Sequence, residues 1–96
     1  MVTSSQVAVG EHRLDGVCVA TAHTFVLMIS APKGFLGCGY FSLETANRVG
    51  DAVALVKGVK TLDSMLEARV VAASDRAQAL GVATGMSGKD ALLRMI

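Results

Sequence analysis

The sequence predicts one α/β (α+β) domain over residues 1–96, with an N-terminal antiparallel β-meander followed by alternating short strands and helices around one core. Three observations carry that expectation. A chain of 96 residues has room for a single hydrophobic core. Its first part runs in β-branched, apolar segments broken by glycine- and proline-containing turns. Its second part changes rhythm, with cap residues opening short helices between short apolar runs.

Val2 to Val9 is a weakly polar, β-branched start, Gly10-Glu11-His12-Arg13 reads as a turn, and Gly16 to Thr21 reads as a strand. Phe25 to Ser30 alternates Phe25, Leu27 and Ile29 against Val26, Met28 and Ser30; both faces read as apolar, so the strand is expected to be central. Ala31-Pro32-Lys33-Gly34 puts proline second and glycine fourth in a hairpin-like reversal, and Phe35 to Phe41 returns as the antiparallel partner. Ser42 is placed to cap a helix from Leu43 to about Val49, with Glu44 at its positive end and Gly50 closing it. Ala52 to Val56 has strand length. Thr61 caps the next helix, whose Leu62, Met65 and Leu66 fall on one stripe. Arg69 to Ala73 reads as a strand, and Ser74 caps a helix from Asp75 to Leu80 ahead of Gly81. Ser87 and Asp90 fit a capping box, opening a terminal helix with Ala91, Leu92, Met95 and Ile96 inward.

Composition narrows the function classes. Hydrophobic residues make up 52% of the chain and charged ones 18%, against about 25% charged in typical soluble domains; mean hydropathy is +0.52. A small domain hides only about 60% of the surface its unfolded chain exposes, so the apolar surplus is expected at a subunit interface. The expected partner is therefore a second copy, in a dimer or tetramer formed through the N-terminal β region. Apolar runs such as Phe25 to Ile29 stop far short of the roughly 20 residues of a membrane span. No signal-peptide pattern opens the chain, which makes the cytoplasm the expected location. Nine Lys plus Arg against eight Asp plus Glu, scattered singly, leave no basic stripe for nucleic acid. Cys18 and Cys38 read as thiols. The histidines and cysteines never reach metal-ligand spacing, and no cofactor motif is present, so no metal or cofactor is expected.

Two kinds of site stand out. Cys38, flanked by Gly37 and Gly39, is the candidate catalytic nucleophile of a thiol-dependent enzyme or redox-responsive protein, with the helix after Ser42 placed to favour its thiolate. The competing account makes Cys38 a small buried hydrophobe at a strand bulge. Lys57, Gly58, Lys60 and Thr61 lead directly into a helix cap, where two cations and helix-start amides suit a small anionic ligand. Ser87 and Gly88 form a second such helix start. The surrounding Gly85-Met86-Ser87-Gly88-Lys89-Asp90 fails as a P-loop, because Ala83 stands at its first glycine position and Asp90 replaces the magnesium-binding hydroxyl. Capping explains both anion candidates without any ligand.

Three stretches taken together resemble the YunC-like family: Gly34-Phe35-Leu36-Gly37-Cys38-Gly39-Tyr40, then Val56-Lys57-Gly58-Val59-Lys60-Thr61-Leu62-Asp63, and last Leu80-Gly81 with Gly85-Met86-Ser87-Gly88-Lys89-Asp90-Ala91-Leu92. The likeness runs from Lys33 to the C-terminus, and the first thirty residues match only loosely. The resemblance implies an α/β fold whose N-terminal β region is an association surface giving tetramers. It implies no activity.

Overall fold

A computed structural model describes the whole chain, Met1 to Ile96. Its elements are β1 (Val2–Val9), β2 (His12–Ala20), β3 (Phe25–Ala31), β4 (Gly34–Gly37), α1 (Leu43–Val49), β5 (Val53–Leu55), α2 (Leu62–Glu67), β6 (Ala72–Ala73), α3 (Asp75–Ala79) and α4 (Gly88–Leu93). The six strands form one sheet in the order β1-β2-β3-β4-β5-β6. All neighbours are antiparallel except β4 and β5, which run parallel and are joined by a crossover through α1. The expected meander followed by strand-and-helix units is the architecture found, with β3 in the interior of the sheet. No helix is long and apolar enough to cross a membrane.

Alternation along the strands sorts residues onto two faces. Val7, Val9, Leu14, Leu27, Ile29, Leu36, Ala54 and Val56 join Met65, Ala91, Leu92 and Met95 in the main core, so α2 and α4 cover one face. On the other face α1 covers only β4 and β5, where Ala46, Val53 and Leu55 pack with Phe35, Phe41 and Leu43. There β1 to β3 have no helix above them. Val17 pairs with Met28 and Val19 with Val2; Val17, Val19 and Met28 are half-buried, and Val2 is exposed.

Several boundaries differ from those expected. His12 and Arg13 lie in β2, not in the turn, because the two-residue Gly10-Glu11 reversal lets them pair with Val9 and Ala8 while their side chains stay in water. The return strand β4 stops at Gly37 instead of Phe41. Beyond it the chain turns back so that the Phe41 ring lies where a side chain on Gly37 would be. The strand expected over Arg69 to Ala73 reduces to Ala72–Ala73, with Arg69 making a lone bridge to Ser87. Ser87 accepts the Asp90 N–H at 3.1 Å, but the return bond of a capping box is absent; the complete box belongs to α2, where Thr61 and Ser64 exchange bonds of 3.0 and 3.1 Å. Ser74, fully buried, caps α3 and also accepts the Val53 N–H at 2.9 Å while donating to the Asp51 carbonyl at 2.8 Å. It ties α3 to the start of β5.

Helices α2 and α4 approach each other closely at Gly88. This glycine is buried, its N–H donates to the Ala68 carbonyl at 2.8 Å, and a methyl group added to it would run into the backbone carbonyl of Met65. Replacing Gly88 with alanine must push α4 away from α2, costing about 3 kcal/mol at the upper end of the overpacking range. Gly58 offers the contrast, because its φ of +72° disfavours alanine while nothing lies within 4 Å of the added carbon. Gly58→Ala should therefore cost only about 1–2 kcal/mol. Urea unfolding midpoints of the two variants check this ordering, and equal losses would contradict the close α2–α4 approach.

Candidate functional site

Because β4 and β5 run parallel, the segments that follow them leave the sheet at the same end, and antiparallel β3 begins there as well. Three chain segments consequently converge: the β2–β3 loop, the residues after β4, and the residues after β5. Between them lies an open cleft of about 350 Å³. Crevices beyond the carboxyl ends of parallel strands are where α/β sheets commonly receive ligands.

Cys38 forms the exit from β4. Its N–H donates to the Leu27 carbonyl at 3.1 Å, and its Sγ accepts the Leu27 N–H at 3.4 Å. The sulfur thus takes over at the point where backbone pairing with β3 ends, satisfying an amide that the departing strand leaves behind. Cys38 is only 5% exposed although it lines the cleft. The Phe41 N–H then closes the turn onto the Cys38 carbonyl at 3.2 Å, and the Phe41 ring stacks edge-on against Phe35 at 5.2 Å. This stack anchors the turn and leaves Tyr40 at its tip, 59% exposed.

The second wall follows β5. Val56 donates to the Gly37 carbonyl at 3.0 Å, after which Lys57, Gly58, Val59 and Lys60 line the cleft and Thr61 starts α2. The stem of Lys57 lies over Gly39, within van der Waals distance of a carbon added there. The third wall is Thr24 and Phe25. The preceding turn is fixed by the Thr21 N–H on the Thr24 carbonyl at 2.8 Å and the Thr24 N–H on the Thr21 hydroxyl at 2.9 Å.

The fold thus brings Cys38 together with the sequence-distant segment of Lys57, Gly58 and Lys60 around one cleft. Thr61 stands at its margin with its hydroxyl occupied by the Ser64 N–H. Ser87 and Gly88 lie in the α2–α4 seam, outside the lining, with the Gly88 amide already bonded to Ala68. Neither imidazole lines the cleft. His12 begins β2, a full strand of about 27 Å from its other end, and His23 projects from the β2–β3 loop into water. Sequence reasoning overlooked Thr24, Phe25 and Tyr40. Only strand direction brings them to the site, and the helix between β4 and β5 is the signal that could have revealed it.

The family match falls on this part of the chain, and the matches to individual proteins span its full length. Residues 37–95 match the family described as a domain of unknown function (DUF1805). The chain is similar along its full length to the uncharacterized protein YunC of Bacillus subtilis strain 168, 27% identical over 100 residues that cover 100% of this chain and 99% of that one. Its fold matches the crystal structure of a protein of unknown function from Thermoplasma acidophilum with a TM-score of 0.93 and 34% identity, covering 100% of this chain and 94% of that chain. With the family match beginning at Gly37 and taking in two walls of the cleft, the chain belongs to the YunC-like DUF1805 family, whose function is unknown.

Proposed function

We propose that this protein binds a small anionic ligand in the cleft between Tyr40, Lys57 and Lys60. The observation that carries this reading is the charge of the lining, which holds two lysines and no carboxylate. The backbone supports it. The amides of Lys57, Gly58, Val59 and Lys60 make no hydrogen bond within the protein, so successive N–H donors are free beside the ammonium groups. Amide donors and cations presented together in a concave loop suit an oxyanion. Titration with inorganic phosphate at low salt, followed by amide NMR, should shift the signals of residues 57–60. Lys57→Ala and Lys60→Ala should each weaken binding about two- to fivefold, and added salt should weaken it further. Lys89, on α4, is outside the cleft, and Lys89→Ala should have no effect. Equal loss from all three substitutions would reduce the effect to general surface charge.

The rival reading, a thiol-dependent or redox-responsive protein, requires an accessible Cys38 with a base beside it. Burial of Cys38, the engagement of its sulfur by Leu27 and the lack of an imidazole in the lining support a packing and hydrogen-bonding role instead. Iodoacetamide should therefore label the half-buried Cys18 ahead of Cys38 in the folded protein. Cys38→Ala should cost about 1–3 kcal/mol by leaving the Leu27 amide unpaired, with Cys38→Ser, which keeps an acceptor, costing less. Faster labelling of Cys38 would restore the catalytic reading.

Self-association belongs to the same proposal. Val17, Val19 and Met28 pack against neither core cluster, and Val2 beside them is 69% exposed. An identical face on a second copy is the simplest cover in a chain carrying a formal charge of only +1. Light scattering at micromolar concentration should give a dimer or tetramer that Val17→Glu dissociates. A strictly monomeric parent protein would remove this part.

A further inference from the structure

The chain has three phenylalanines and one tyrosine, and the fold divides them evenly. Phe35 and Phe41 stack on each other beneath α1. Phe25 and Tyr40 instead line different walls of the cleft, 37% and 59% exposed, and neither ring is paired with another. Exposing two aromatic rings to water at one small site is unfavourable unless a third surface covers them. They come from different segments, the start of β3 and the turn after β4, so an accident of one local sequence does not explain their meeting.

Charge and volume restrict what can cover them. Lys57 and Lys60 are the only side chains of the lining that carry a formal charge at neutral pH, so the occupant needs a negative end. A cleft of about 350 Å³ falls at the small end of the roughly 300–1,000 Å³ range of ligand pockets. Aromatic rings offer rigid contact at little entropic cost and favour flat partners.

Resting on the anion-binding reading above, we propose that the preferred ligands are small planar aromatic acids. Phe25 and Tyr40 contact the ring while Lys57 and Lys60 hold the carboxylate. Recognition is non-covalent, and Cys38 forms the floor.

The aromatic NMR spectrum tests the proposal, because so few rings contribute and the half-buried Phe35, outside the cleft lining, serves as an internal reference. Three probes of matched size are compared on the full-length protein: 2-naphthoate, its saturated decahydro analogue, and neutral naphthalen-2-ylmethanol. The expected result is that 2-naphthoate shifts the Phe25 and Tyr40 signals and leaves Phe35 still. It should bind about three- to tenfold more tightly than the saturated acid, and Tyr40→Ala should erase that preference. Equal binding of the two acids, with the alcohol silent, would overturn the aromatic preference while leaving anion binding intact. Equal binding of naphthoate and alcohol would overturn the anionic reading, and silence from all three would overturn both.

Discussion

The parallel pairing of β4 with β5 is the constraint on which the molecule's chemistry depends. Antiparallel neighbours send successive loops to alternate ends of a sheet, so an unbroken meander would have put the Cys38–Tyr40 and Lys57–Lys60 segments at opposite ends. The crossover through α1 reverses this once. That single reversal gathers three loops over one crevice and gives α1 the only sheet surface it covers. The remaining helices are then left for the other face, where α2 and α4 meet so closely at Gly88 that no side chain fits between them.

Much of the fold was legible because its elements announce themselves locally. Ser42, Thr61, Ser74 and Ser87 each cap a helix where the hydroxyl was expected to do so, and the two-sided apolar run of β3 correctly implied an interior strand. What misled were signals whose meaning depends on distant partners. Polar His12 and Arg13 look like a turn until pairing with Val9 and Ala8 is known. Tyr40 and Phe41 look like strand residues until Phe41 is seen folded against Phe35 and Gly37.

The site was legible in part for the same reason. Lysines and a glycine before a helix cap, and a thiol between two glycines, are conspicuous residue types in any sequence. Their convergence is a property of strand direction, which no short window encodes. Phe25 drew attention only as a strand opener, since nothing near it marks the end of β3 as the wall of a crevice. The thiol shows the opposite limitation: its prominence came from flanking glycines, whereas its contact is an ordinary backbone amide of Leu27, eleven residues earlier.

The two margins of the sheet are unequal. On one side β6 is a stub of two residues, too short to recruit another chain. On the other, β1 presents eight residues, Val-Thr-Ser-Ser-Gln-Val-Ala-Val, with no proline and no charge to repel a newcomer. Susceptibility to runaway strand addition is thereby concentrated along a single border. One lysine introduced there, pointing away from the core, would serve as a gatekeeper for the whole protein.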